Sequence, residues 1–449
     1  MASVTATESR MGTGWMAALR GAVVSLVIAF AICAGLVAWA HPTFPDTDDH
    51  ARRRFQEVFP VFEGAGASML GFQRVPITLD RQELPGSRRP TEHLTYRVVG
   101  SPLGGLLLIG MSLAIGGAIT RRRSGRRKSP IVGAARMAVL FAAACFGLSF
   151  ILPHGKSLTA QGPFVANAFT LAYRPSHLAA LLWPFVWGLL FGTLGAFIGE
   201  HGRRWRQELI ATIEARSRAV ARAVRAAAAG LATGIALILL AGILTAIVGV
   251  ATHSSEAGQV LGSAKNVMGI TEGVVIGLPH ATGAGLIAAM GVPAHFEAAD
   301  LDGESGEYAT ADIFGGERQQ RDRAFDTSGP SGPYPLAIPR YALGGLIIAI
   351  AITVVTGYRA ATGSGSATET ARSVVLAAGF LTVALWIIAY LISAKLRIEL
   401  DAGSPRLSGV RMTLRPSILE VLVLPAIWTL AGGTLGALLH QLRRRTRPA

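Results

Sequence analysis

Arg174 to Arg204 reads RPSHLAALLWPFVWGLLFGTLGAFIGEHGRR, and Arg415 to Arg445 reads RPSILEVLVLPAIWTLAGGTLGALLHQLRRR. Aligned without a gap at an offset of 241 positions, 15 of these 31 residues are identical. Chance similarity between apolar helices repeats Leu and Ala. It does not repeat Pro184/Pro425, Trp187/Trp428 and Gly-Thr-Leu-Gly-Ala at 192–196 and 433–437. Each copy carries an uncharged run close to the ~20 residues that cross ~30 Å of hydrocarbon. The pair therefore predicts an internally duplicated, polytopic membrane protein.

Working outward, eight spans are expected, at 18–40, 99–120, 131–153, 177–199, 226–252, 341–357, 373–394 and 417–440. The predicted fold class is all-α: a transmembrane helical bundle of two tandem four-helix repeats, residues 1–210 and 211–449, with extracytoplasmic loops. Gly21 to Ala40 has 20 uncharged residues, longer than a signal-peptide core, so the first run is expected to be retained as a helix. Arginines concentrate at 121–130, at 200–225 and in the tail after His440, which the positive-inside rule assigns to the cytoplasm. Both termini are then cytoplasmic. The loops 41–98, 154–176 and 253–340 fall outside.

Further matches extend the duplication. Leu103-Gly104-Gly105-Leu106 answers Leu343-Gly344-Gly345-Leu346, and Ala135-Arg136 answers Ala371-Arg372. Gly64-Ala65-Gly66 before Val75-Pro76 resembles Gly283-Ala284-Gly285 before Val292-Pro293. Four spans per half keep both halves the same way up, a parallel repeat about the membrane normal. The apolar segment 266–293 tests that count, because a ninth crossing would invert every later helix. A re-entrant hairpin bent near Gly277-Leu278-Pro279-His280 or an interfacial helix pair preserves it, and the pair is the preferred expectation. The polar stretch 294–340 is expected to be a mobile excursion, and Gly363-Ser364-Gly365-Ser366 a flexible linker.

Composition agrees with a membrane class. Of 449 residues, 51% are apolar and only 15% charged, against roughly 25% charged in soluble domains. The net charge of +15 sits beside apolar runs, where it orients spans and meets anionic lipid headgroups. No aromatic-interleaved basic module accompanies it, so nucleic acid is not an expected partner. The lipid bilayer and other membrane proteins are. The two cysteines, Cys33 and Cys145, lie in apolar runs and predict packing rather than a disulfide or a metal site.

Several groups have both a functional and a structural reading. Pro184 and Pro425 either break the last spans around a central site, with Trp187 and Trp428 beside it, or merely shape packed helices. Gly188, Gly192, Gly195 and Gly199, with Gly432, Gly433 and Gly436, form small-residue faces, as do Gly230 and Gly234, and predict close helix approach. Arg174 and Arg415 stand at equivalent outer positions, binding anionic headgroups or anchoring helix ends. Ser417 with Glu420 reads as a capping box, and Ser176 as a cap. The acids Asp46, Asp48, Asp49, Asp300, Asp302, Glu304 and Glu307 complete no calcium loop, and His41 with His253 reads as helix-end histidines. Gly155-Lys156-Ser157 lacks the leading glycine of a phosphate loop. No cofactor is expected, nor a metal or a catalytic set.

The uneven outer loops, the segment around Gly277-Leu278-Pro279 and Ser101-Pro102-Leu103-Gly104 opening a span resemble the streptophobe family of actinobacterial polytopic proteins. The charged insertions at Arg81–Arg89 and Glu297–Asp326 depart from that pattern. The resemblance implies a bacterial plasma membrane and no particular mechanism. Apart from Glu420 near its outer end, the spans hold no acid or base at depth, which weighs against a proton-coupled carrier. The expected role is a non-catalytic envelope scaffold or assembly factor. A passive or weakly coupled transporter, with its site between the repeats, is the alternative.

Overall fold

The computed structural model describes residues 2–40, 61–83, 93–100, 102–124, 129–152, 156–161, 166–252, 264–292, 294–300, 305–311, 340–401, 408–416 and 418–446. Eight of its helices are long and apolar enough to cross a bilayer, so the chain is a multi-pass integral membrane protein. They fall on the eight segments expected from sequence. The membrane part is an all-α helical bundle.

In chain order the first half contains α1 (Ala2–Ala40), α2 (Val61–Phe72), β1 (Ile77–Glu83), β2 (His93–Val99), α3 (Leu103–Ser124), α4 (Pro130–Ile151), β3 (Lys156–Gln161), β4 (Ala166–Pro175) and α5 (His177–His201). A short connecting helix α6 (Trp205–Arg216) follows. The second half then repeats the order: α7 (Arg218–Thr252), α8 (Ala264–Ala289), β5 (Ala294–Asp300), β6 (Ser305–Ala311), α9 (Arg340–Ala361), α10 (Ala367–Ile392), β7 (Ala394–Asp401), β8 (Ser408–Pro416) and α11 (Ile418–Arg445). Neighbours repeat as well. Helices α1 and α5 pack on α3 and α4, just as α7 and α11 pack on α9 and α10.

The strands form one antiparallel sheet in the order β3-β4-β1-β2-β7-β8-β5-β6. This sheet was not anticipated, and it corrects the reading of 294–340 as a mobile excursion, since β5 and β6 lie at its start. The signal is nonetheless present. Leu396, Ile398 and Leu400 alternate with Lys395, Arg397, Glu399 and Asp401, the period of two that marks a strand with unlike faces. Strands this short fix no partners by themselves, because pairing is set by register across distant segments.

Continuity of the sheet also answers the parity question. Each hairpin joins consecutive spans, and hydrogen bonding of β5 to β8 and of β2 to β7 holds all four hairpins on one face. The C-terminal end of α8, directly before β5, is therefore on the same face as the other hairpins, and α8 does not invert the later helices. Segment 266–293 is neither a hairpin nor a helix pair. Its residues 266–289 belong to one continuous helix carrying Pro279 in its interior, and a turn at 290–292 follows. Pro279 supplies no amide to the Val275 carbonyl, and Gly104 lies against the carbonyls of Val275 and Ile276, where an added Cβ would come within 2.5 Å. Helix α8 thus wedges between α1 and α3 of the first half and α7, α9 and α10 of the second.

The expected flexible linker is likewise a built turn. Gly363 adopts φ +81, Ser366 Oγ accepts the Glu369 amide at 3.2 Å, and the Glu369 carboxylate accepts the Gly365 amide at 3.0 Å. This is a capping arrangement in which both orphan amides are satisfied. At this end of the bundle, opposite the sheet, the arginines gather. Arg121 forms a buried pair with Glu200 (Nε to Oε2 3.1 Å), Arg222 meets Glu369, and Arg225 meets Glu214.

Candidate functional site at the seam between the halves

The two sequence-equivalent prolines do not share a site. Pro184 lies inside α5, and its neighbour Trp187 belongs to the core of the first half with Phe141, Met69 and Leu70. Pro425 lies inside α11, and Trp428 packs against the second core beside Leu381 and Leu385. Both helices run continuously through their prolines, with Thr429 Oγ1 donating to the Pro425 carbonyl at 2.6 Å. The tryptophans that accompany the two prolines thus pack with separate cores.

The glycine faces make matching contacts in the two halves. A Cβ on Gly117 would strike the Gly192 carbonyl, and one on Gly357 the Gly433 carbonyl. Gly195 sits on the Ala114 carbonyl and Gly436 on that of Val354. Gly188 lies against Ala138, Gly199 against Ala118, and Gly432 against Thr353. Gly230 approaches Thr356, and Gly234 approaches Ile352 and Leu286. At Gly117, Gly357, Gly195 and Gly436 the missing side chain lets one backbone rest on another, and at Gly230, Gly234 and Gly432 it makes room for a neighbouring side chain; dispersion there replaces the hydrophobic drive that lipid does not supply.

Arg174 and Arg415 occupy matching strand positions, opposite Thr78 and His295, one residue before β4 and β8 end. Arg174 is exposed. Ser176 stands at the start of α5 without a side-chain cap bond, correcting the expected cap, and its amide donates instead to the Pro76 carbonyl at 2.9 Å. Glu420 is in the first turn of α11, while Ser417, like His41, His253, Asp46, Asp48, Asp49, Asp302 and Glu304, lies outside the described residues. Cys33 and Cys145 are buried free thiols.

What joins the halves is a corner that sequence reasoning did not single out. Helix α2 ends in a turn where the Arg74 amide donates to Gly71 O and the Val75 amide to Leu70 O. Arg74 sits at the left-handed position, φ +65, uncommon for a residue with a Cβ. It is 7% exposed, and its guanidinium reaches across to the C-terminal end of α10. There it donates to the carbonyls of Tyr390 (2.6 Å), Leu391 (2.9 Å) and Ser393 (3.2 Å), and lies 4.5 Å above the Tyr390 ring. Those carbonyls close a helix C-terminus, where the dipole favours a cation; the Tyr390 carbonyl also accepts the Ser393 amide at 3.3 Å. Burial lowers the guanidinium's pKa from its ordinary value, and Tyr390 works in the opposite direction. The group remains charged, since arginine does not deprotonate in proteins.

Beside it, Gln73 is fully buried and donates to Met69 O at 2.9 Å. Trp187 Nε1 donates to the Gln73 carbonyl at 3.2 Å. Trp187 stacks on Trp183, whose ring lies 6.2 Å from Tyr390, so an aromatic row runs from α5 into α10. Directly outside, Gly100 at φ +132 lets the chain pass close to Ala394, and β2 pairs with β7 from His93↔Asp401 to Val99↔Lys395. Helix cap, aromatic row and strand joint together make a seam in which Arg74 is fully engaged, while the buried Gln73 Oε1 has no hydrogen-bond partner. Nothing in it is arranged as nucleophile and base, and no group of three or more metal-ligating side chains occurs among the described residues. No family model, curated protein or solved structure matches the chain, so its role is read from this geometry.

Proposed function

We propose that the protein is a static, non-catalytic scaffold or assembly factor of a bacterial plasma membrane, built from two tandem copies of a four-span unit. Its sheet faces outward and its arginine-rich end faces the cytoplasm with both termini. The tandem origin is supported by the recurring element order and by the matched glycine contacts. The orientation is supported by the arginines collecting opposite the sheet. Residues of that end, Arg122, Arg123 and Arg204 among them, are suited to anionic lipid headgroups.

The observation that carries the scaffold reading is the seam. A carrier that alternates access between two halves rocks one against the other. Here one strand pair, β2 with β7 over seven residue pairs, and three charge-assisted hydrogen bonds from Arg74 hold the halves together, and rocking would break both. The test is osmotic shrinkage of vesicles containing the purified protein, with glycerol, urea, amino acids and small sugars as solutes. The expected rate equals that of empty vesicles. Protein-dependent flux that falls in a Pro184→Ala/Pro425→Ala double variant would replace the scaffold with a solute carrier. A reporter fused after Ala449 and detected outside the cell would overturn the orientation.

A further inference from the structure

Among the described residues, the order of strands in the sheet leaves two complementary edges unpaired. By hairpin, β1 and β2 of the first half correspond to β5 and β6, and β3 and β4 correspond to β7 and β8. The sheet then reads as one four-strand unit, β3-β4-β1-β2, followed by the same unit again, β7-β8-β5-β6. The units meet through β2 and β7, which are not equivalent strands. The joint is head to tail. A head-to-tail joint leaves each end of the assembly carrying one unsatisfied half of that same joint. Among the described residues β3 pairs only with β4 and β6 only with β5. Strand β3 is the equivalent of β7, and β6 the equivalent of β2.

We infer that a second copy of this chain docks through these edges, β6 of one copy adding antiparallel to β3 of the next as β2 adds to β7 within the chain. An open strand edge is a row of unpaired amides and carbonyls, and it recruits another strand unless covered. The occupant is specified by the molecule itself, because the chain already builds one instance of the interface. A second copy offers the same edge at the same height above the same membrane, and in the same orientation.

Register follows from the internal joint. Ile77 and Ala294 are equivalent, since they oppose Pro175 and Pro416 of the repeated Arg-Pro-Ser motif. Their partners Val98 and Ala311 are therefore equivalent too. Leu171 and Met412 differ by the same 241 positions, which makes their partners Lys156 and Leu396 equivalent. Within the chain Val98 opposes Leu396, Arg97 opposes Arg397, and Tyr96 opposes Ile398. Between copies Ala311 then opposes Lys156, Thr310 opposes Ser157, and Ala309 opposes Leu158. Beyond Ala309 the register of β5 and β6 shifts between Phe296 and Ala298, a bulge that confines the joint to the residues nearest the membrane. Position 291, equivalent to Arg74, is a glycine at φ +78 and supplies no guanidinium to the neighbour. The joint between copies is accordingly weaker than the joint within one. Repetition closes a ring when the rotation per copy allows it.

The inference is independent of the scaffold reading, since a carrier could assemble in the same way. Its test is disulfide capture in native membranes, in a background with Cys33→Ala and Cys145→Ala. Chains carrying Ala309→Cys and chains carrying Leu158→Cys are given different tags and expressed together. Mild oxidation is expected to give a dimer containing both tags, while each variant expressed alone stays at the mass of one chain. Tyr96→Cys/Ile398→Cys in a single chain reports that oxidation reaches the sheet. If that control cross-links and the mixture gives no two-tag dimer, the inference is overturned. Homodimers of Ala309→Cys alone would also overturn it, because they require a face-to-face joint. The unaltered chain in nanodiscs is expected to have the mass of two or more copies, and a single-chain mass over the accessible concentration range would count against the joint.

Discussion

The turn that ends α2 and the turn that ends α8 have the same backbone and different consequences. Val75 donates to Leu70 O at 3.2 Å in the first, and Val292 donates to Ile287 O at 3.4 Å in the second. Arg74 and Gly291 hold the equivalent left-handed position at φ +65 and +78, and Val-Pro follows each. Glycine is the residue that adopts this conformation without penalty. The first turn gives up that advantage, and its arginine caps a helix of the other half. Two turns with the same frame thus diverge where one of them meets a neighbour that the other lacks.

Four sets of variants put the contrast between the halves to the test, all read as shifts in unfolding free energy in detergent. The largest effect is expected where both halves are alike. Gly195→Val and Gly436→Val each force a side chain onto a backbone carbonyl and should lose about 3 kcal/mol or more, near the upper end for overpacking. A marked inequality between them would show that the halves do not share a packing solution. Arg74→Met should lose about 2 kcal/mol by removing the charged donor to the Tyr390, Leu391 and Ser393 carbonyls. Arg74→Gly should lose less, because relief of left-handed strain offsets about 1 kcal/mol. If the glycine variant were no better than methionine, the strain at this corner would be absent.

The inner ends offer a smaller contrast. Arg121 and Glu200 pair in the first half, and alignment places Ala361 and Gln441 in the second. Arg121→Met should lose about 1–2 kcal/mol, moderated because the Glu200 side chain keeps 25% of its surface exposed. Adding Glu200→Gln should recover most of it, since this adopts the second half's own solution. A double variant as unstable as the single would exclude the unpaired carboxylate as the cause. Smallest is Gly291→Ala, expected to lose about 1 kcal/mol through its positive φ. A neutral result would mean that this turn relaxes freely.

Legibility differed by region for physical reasons. The eight spans and the close-packed glycines were readable because lipid imposes a local requirement, an apolar run with internal backbone bonding, that every span meets separately. The seam was not. Arg74 looks like any loop arginine until the fold brings Tyr390 to it, 316 positions away. Its one local hint was the Val-Pro match, which aligns Arg74 with a glycine when counted back from Pro76 and Pro293. Paired prolines and tryptophans drew attention instead, yet each pair divides between two cores.

Sequence alone determined that this chain crosses the membrane repeatedly and that its second half echoes its first, since composition and identity need no partner to be seen. Tertiary structure decided how the echo is joined. Strand order, the path of α8 and the reach of Arg74 are choices among distant segments, and backbone hydrogen bonding is indifferent to side-chain identity until register and proximity select one pairing.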